Sequence, residues 1–297
     1  MAKVLSRVAP WLASHRESPY RRVRVLGHED THALRDLVQQ DPVSNVFLAS
    51  QLESSCSAVP SFPGSVILGH FDDDGSLSAA CWIGSNVVPV QTGPDAAACF
   101  GRWIAASQRR VASIFGPAEA VLGIFDVLQD SGTTAVEVRR NQPLLQLCGE
   151  PAIAGNPALR TSRPEEFARI LPAAAAMFEE EVGYSPYQGG EDYYRRRVAA
   201  LIEQGHSLSH LDEDGEVIFK ADLGAVSKDV TQIQGVWLNP ACRGLGLSAG
   251  YMAATVRLAL QFAPVTSLYV NDFNTRARAT YERVGFRQVG TFATVLF

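Results

Sequence analysis

Residues 234–250, QGVWLNPACRGLGLSAG, constrain the fold more than any other part of the chain. They read as an apolar strand, a short loop interrupted by Pro240, then a Gly-rich turn opening an amphipathic helix. A helix N-terminus presents unpaired N–H groups and a positive dipole end, and glycine lets the backbone approach an anion at positive φ. The turn therefore predicts a phosphate or pyrophosphate cradle. Gly244-Leu245-Gly246-Leu247-Ser248-Ala249 also fits a G-x-G-x-x-A dinucleotide fingerprint. That fingerprint needs the strand to run straight into the first glycine, and here residues 239–243 intervene. About 50 residues follow Gly246, too few for a doubly wound sheet made of βαβ units of roughly 30 residues. The other alternative is a helix cap with no ligand.

The 297 residues suggest two domains on the usual domain size. Hydrophobic residues make up 46%, enough for ample cores. A net charge of −5 argues against nucleic-acid binding, which needs a basic face. No apolar run reaches 18 residues, so no membrane span is expected, and Arg7, Pro10, His15 and Arg16 interrupt any apolar leader. The five cysteines are an odd number without a C-x-x-C pair, which fits free thiols in a reducing cytoplasm. The histidines have no metal-ligand spacing, and no metal is expected. No G-x-S-x-G elbow is present.

Along the chain, residues 1–22 read as an irregular lead-in, 23–150 as a first domain, 151–163 as a Pro/Gly-containing linker, and 164–297 as a second domain. In the first, a strand at 23–26 precedes helices near 29–38 and after Pro42. A hairpin over 65–83 turns on Asp72-Asp73-Asp74-Gly75, helices cover 95–109 and about 117–130, and strands cover 135–139 and 144–147. The second repeats the theme: helices over 164–178 and 193–204, a hairpin turning on Asp212-Glu213-Asp214-Gly215, then a strand over 231–238. The Gly loop, a helix over 247–262, a strand at 267–270, a helix over 275–284 and a terminal strand pair follow. The shared order predicts two copies of one fold.

The second half, from about residue 157, resembles a GNAT-superfamily N-acetyltransferase domain along its length. Residues 243–248 are similar to that family's Q/R-x-x-G-x-G/A loop, with Ser248 where Gly or Ala is usual. Residues 271–286, NDFNTRARATYERVGF, are similar to its N-x-x-N-x-x-A-x-x-x-Y-x-x-x-G-F segment. The first half lacks both motifs and looks like a degenerate copy, as in two-domain bacterial acetyltransferases. The resemblance implies an α/β (α+β) fold of tandem GNAT-like domains, each a mixed, mostly antiparallel sheet flanked by helices. It implies acetyl-CoA as co-substrate and a primary amine as acceptor: a protein lysine, a peptide N-terminus or a small amine. Val236, Trp237 and Leu238 would offer main-chain groups to the pantetheine arm. Arg243, Gly244, Leu245, Gly246, Leu247 and Ser248 would hold the pyrophosphate, Asn271 and Asn274 would approach the coenzyme, and Tyr281 would stand beside its sulfur.

Acetyl transfer needs a base for the amine, a donor for the thioester oxygen and an acid for the leaving thiolate. Tyr281 fits the acid. Glutamate is common on the central strand of this superfamily, but Gln232 and Gln234 stand there, and glutamine takes up no proton. The acidic run Glu179-Glu180-Glu181, expected in the loop after the first helix of the second domain, offers Glu180 and Glu181 as bases, with Asp222 a third candidate. The alternative from another class is a non-catalytic acyl-CoA-binding sensor or interaction module. The acceptor and the oligomeric state stay open.

Overall fold

The structure, a computed structural model, describes residues 22–188 and 191–297. The lead-in expected over residues 1–22 lies outside the described residues except for Arg22. The chain divides into two compact units. The first comprises the described residues up to Gln142 together with Gly290–Phe297, and the second is Pro143–Val289.

The first unit begins with Val23–Val25 (β1), Thr31–Val38 (α1) and Val46–Ser55 (α2). Val66–Phe71 (β2), Leu77–Ile83 (β3) and Asn86–Val90 (β4) follow, then Pro94–Ser107 (α3), Ser113–Pro117 (β5) and Ala118–Asp130 (α4). Leu34, Leu37 and Val38 of α1 recur at helical spacing and are buried, as the sequence pattern requires. In the β2–β3 turn Gly75 sits at φ 84, donating its N–H to the Asp72 carbonyl. The strands lie in the order β1-β2-β3-β4-β5, and only β4 and β5 are parallel. The sixth strand is the end of Arg287–Leu296 (β12), whose residues from Phe292 to Leu296 pair antiparallel with β5. One hydrophobic cluster packs under α3 and α4, another under α1 and α2.

The second unit takes its first strand from the end of Glu137–Cys148 (β6). Then come Arg160–Thr161 (β7), Phe167–Val182 (α5), Glu191–Glu203 (α6), Ser207–Leu211 (β8), Val217–Val226 (β9) and Val230–Leu238 (β10). Ser248–Ala259 (α7), Val265–Tyr269 (β11) and Thr275–Val284 (α8) complete it. Its strand order is β7-β8-β9-β10-β11-β6, again with a single parallel pair, β10 with β11. A parallel pair needs a crossover, supplied by α3 in the first unit and α7 in the second. Strand order, pairing sense and crossover correspond one for one, so the predicted duplication of a mixed, mostly antiparallel sheet flanked by helices is present. The sixth strand of each unit comes from the far end of the other copy's sequence.

The local differences from expectation have identifiable causes. β4 and β5 match no strand expected from the sequence; they carry Pro89, Gly116 and Pro117, residues that argue against a central strand. The two strands expected at 135–139 and 144–147 are one, β6, which runs from Glu137 through the polar residues 139–142 and Pro143 to Cys148. The strand pair expected at the C-terminus is likewise the single strand β12. Glu179, Glu180 and Glu181 are not in a loop, because the Ala-rich α5 continues through them to Val182 and stops at Gly183, φ 84. Glutamate is a good helix former, and the left-handed glycine is the true stop signal.

Candidate active site

Strands β10 and β11 pair over only three residues, Val230 to Gln232 against Val265 to Ser267. From Ile233 to Leu238, β10 pairs with β9 and with no other strand among the described residues, with irregular register between Gln234 and Trp237. Gly235 sits at φ 60 within that irregularity. Beyond Gln232 the side of β10 facing away from β9 is therefore an open strand edge, and the Gly235 and Leu238 carbonyls accept from Lys220 and Arg243.

The open strand leads straight into the loop. Asn239 accepts from the Ala241 N–H at 3.0 Å and starts a short turn over Pro240–Cys242. Gly244 and Gly246 follow at φ 81 and 74, and a Cβ on either would meet nothing within 4 Å. They serve conformation and not packing. No side chain caps α7, so its first N–H groups stay available at the positive end of the helix dipole. Arg243 donates from Nε to the Leu238 carbonyl at 3.0 Å and from Nη2 to both Glu180 oxygens at 2.9 and 2.8 Å. Glu180 also accepts from Trp237 Nε1 at 3.2 Å. The structure therefore brings together Glu180, Trp237 and Arg243, and it engages both oxygens of Glu180.

Across the unit, α8 begins at Asn274, whose side chain accepts from the Ala277 N–H at 3.2 Å and so acts as a helix cap. The Asn271 carbonyl accepts from the Asn274 N–H at 3.0 Å. Tyr281 lies in the core cluster with Phe286, ring centroids 5.9 Å apart. Burial, together with the negative charge of Glu181, pushes its phenol above the usual range, so it stays protonated at neutral pH. Glu181 itself is exposed.

A strand that splays from its parallel neighbour thus feeds a glycine loop at an uncapped helix, and the same unit buries Tyr281 within reach of the Glu181 charge. Residues 174–286 match the model of the Acetyltransferase (GNAT) family. The chain carries a GNAT-family domain. Residues 65–170 match a domain of unknown function, DUF4081. A Drosophila protein solved by structural genomics superposes with a TM-score of 0.65 at 16% identity, covering 93% of this chain and 98% of its own. A GCN5-related N-acetyltransferase from Sphaerobacter thermophilus gives 0.57 at 14% identity, over 92% and 94%. A tandem GNAT protein from the clavulanic acid biosynthesis pathway gives 0.53 at 14%, over 92% and 97%. These likenesses concern the fold. No curated protein sequence matches the chain.

The first unit repeats the GNAT topology without the features of the GNAT domain's site. Between β4 and α3 there are only Gln91, Thr92 and Gly93, against residues 239–247 in the GNAT domain. Pro89 in β4 and Pro94 at the start of α3 each remove an N–H where a ligand would seek one. Phe47 packs edge-on against both Trp82 and Phe115, ring centroids 5.6 Å apart in each case.

One feature of the GNAT domain was only half visible in the sequence. Lys220 is fully buried and donates from Nζ to Asp222 Oδ2 at 2.6 Å and to the Gly235 carbonyl at 3.2 Å. Asp222 is a candidate from the sequence, and its ion-pair partner Lys220 is found only in the structure. The signal was there: Phe219, Ala221 and Leu223 alternate with Lys220 and Asp222, so a cation lies on a strand whose other face is wholly apolar. Among the described residues there is no cluster of three metal-ligating side chains, and no helix is long and apolar enough to cross a membrane.

Proposed function

We propose that the GNAT domain transfers the acetyl group of acetyl-CoA to a primary amine by direct attack in a ternary complex. The observation that carries this reading is the continuity of the open β10 edge with the glycine loop and the uncapped α7. Val236, Trp237 and Leu238 would bind the pantetheine amides through main-chain groups. The N–H groups of residues 243–248 and the Arg243 guanidinium would take the pyrophosphate. Asn271 would approach the coenzyme through its polar atoms, and Asn274 would do so through the helix start that it caps. The family match and the fold support acyl transfer in general; coenzyme and acceptor belong to this proposal.

Within that scheme the amine's lone pair forms a bond to the thioester carbon and the carbon–sulfur bond breaks. A main-chain N–H on β10 stabilises the developing oxyanion. Tyr281, kept protonated by its surroundings, gives its proton to the leaving thiolate and recovers one shed by the amine nitrogen. Glu181, in the last turn of α5, would put negative charge on the acceptor side and draw in a cationic amine, and Glu180 would add to it once the pyrophosphate takes Arg243. A protein lysine, a peptide N-terminus or a small amine would satisfy this chemistry. A cytoplasmic location is part of the proposal, supported by five unpaired thiols.

Two measurements on the full chain test this reading: calorimetric titration with acetyl-CoA, and thiol release from acetyl-CoA across a panel of lysine peptides, amino sugars and polyamines. Saturable binding with amine-dependent thiol release is the expected result. Binding without turnover on any amine would instead indicate an acyl-CoA sensor, and absence of binding would overturn both.

A further inference from the structure

The buried ion pair of β9 is not explained by stability. Lys220 is 0% exposed and Asp222 7%. Taking two charges out of water costs several kcal/mol per ion before their attraction is counted, and an apolar pair of similar volume is often as stable or more so. The location is informative. Phe219, Ala221 and Leu223 belong to the cluster under α7, so Lys220 and Asp222 lie on the opposite face of the sheet, the side of α5 and α6. On that face Asp222 stands opposite Gln234 of β10 and beside Gly235, just beyond the last residue of β10 that pairs with β11. A Cβ on Gly235 would come within 2.8 Å of Asp222 Oδ2 and 3.2 Å of Met177 Cε, so glycine is what lets the carboxylate sit against the splaying strand.

Lys220 ties Asp222 Oδ2 and the Gly235 carbonyl together, and Oδ1 makes no hydrogen bond with any described residue. A carboxylate with one oxygen anchored and the other free is arranged to receive a proton. Around it, Lys220 is the charged group on its own strand, and Tyr194 of α6 is near enough for the Asp222 charge to act on its phenol. The Tyr194 hydroxyl donates to the Ala174 carbonyl at 2.7 Å and is not available to the carboxylate. Arg197 of α6 acts on Tyr194 from the same helix, α5 contributes Met177, β8 pairs through Ser207 and β10 through Gln234. Glu180 is held by Arg243 and Trp237.

We propose that Asp222 is the proton acceptor for the incoming ammonium group and that Lys220 is its positioning residue, a role resting on the N-acetyltransferase reading above. The ammonium gives one proton to Asp222 Oδ1, directly or through water, and Asp222 later releases it to solvent. The freed lone pair attacks the thioester carbon. The second proton leaves the amide nitrogen as the thiolate is protonated through Tyr281. The balance is one ammonium and one acetyl thioester giving one amide, one thiol and one proton.

The test uses the full chain with acetyl-CoA and the best amine from the panel. Asp222→Asn should bind acetyl-CoA within twofold of wild type and lose about 100-fold or more in amine-dependent thiol release at pH 7. Its residual rate should climb about tenfold per pH unit toward the amine's own pKa, about 10.4 for a lysine, because a deprotonated amine needs no base. Since Asp222→Asn strands a buried ammonium, the neutral pair Lys220→Met with Asp222→Asn is measured beside it, with melting curves, and should show the same loss and the same slope. Lys220→Met alone should move the acid limb of the rate profile to higher pH. Folded Asn variants turning over within threefold of wild type, or losing rate with an unchanged pH slope, would overturn the assignment of Asp222 alone. A wild-type protein that binds no acetyl-CoA or acetylates no amine would overturn the acetyltransferase reading and this assignment with it.

Discussion

Arg243 of the glycine loop grips both carboxylate oxygens of Glu180, at 2.9 and 2.8 Å, from the last turn of α5. The loop's own cation is thereby paired inside the protein, on the residue where a phosphate would otherwise be its partner. Both side chains are about half exposed, so the pair is weak, of order 0.2–1 kcal/mol. A pyrophosphate must displace Glu180 from Arg243 to be held by it. Glu180→Gln should therefore tighten acetyl-CoA about two- to fivefold at low salt, with the gain shrinking as salt screens the pair. Calorimetric Kd values at two ionic strengths check it. Weaker binding in the variant would mean that Glu180 organises the loop and does not compete for it.

Gly246 tests the loop's conformation separately from its charge. At φ 74, with open space where a Cβ would go, Gly246→Ala suffers backbone strain without a clash. Holding alanine in the left-handed region costs about 1–2 kcal/mol. An exposed loop escapes that cost by changing shape, which moves the N–H groups away from the anion. The melting temperature should hardly change while acetyl-CoA affinity falls about tenfold. A variant that melts lower yet binds normally would show a loop built for stability.

Tyr281→Phe removes only the hydroxyl of a side chain 8% exposed and packed beside Phe286. Thiol release should fall about 100- to 1,000-fold with acetyl-CoA binding within twofold, the pattern of a lost general acid. The sign of the pH effect follows from its surroundings. Burial and Glu181 raise the phenol, so the proton is retained above the usual value of about 10 and no alkaline loss from Tyr281 should appear below that pH. A rate limb falling between pH 8 and 9 that disappears in Tyr281→Phe would contradict this.

The parts of this site that were readable in the sequence are those governed by local backbone chemistry. Gly244 and Gly246 announce a left-handed loop, Asn274 a cap and Gly285 a helix stop at φ 116, and all four are where their chemistry demands. What could not be read depends on contacts distant in the chain. Pro89 and Gly116 look like loop residues until β3 and β12 are seen pairing beside them. The run of glutamates, expected in a loop, is helical because the stop signal, Gly183, stands beyond it. The alternation around Lys220 marks a cation on a half-apolar strand, but its partner the Gly235 carbonyl comes from β10, across the irregular β9–β10 register. The exchange of sixth strands between the units leaves no local trace at all.

In the first unit Asp30 contributes to the acid dependence of stability. Arg24 donates to its two oxygens at 2.7 and 2.6 Å, and the Gly27 N–H adds a third bond at 2.8 Å. Hydrogen bonding from Arg24, opposed in part by burial, holds the Asp30 carboxyl below the usual carboxylate range. A folded-state value below the unfolded one means the pair's stabilisation is fully present above about pH 4, the unfolded value, and is lost as pH falls through the folded value. Because Arg24 remains 37% exposed, the contribution is discounted to about 1–2 kcal/mol. Asp30→Asn should lower the unfolding free energy obtained from urea titration at pH 7 by that amount and flatten the fall in stability below about pH 4. An Asp30→Asn variant as stable as wild type at pH 7, with an unchanged acid slope, would place the acid-sensitive group elsewhere in the protein.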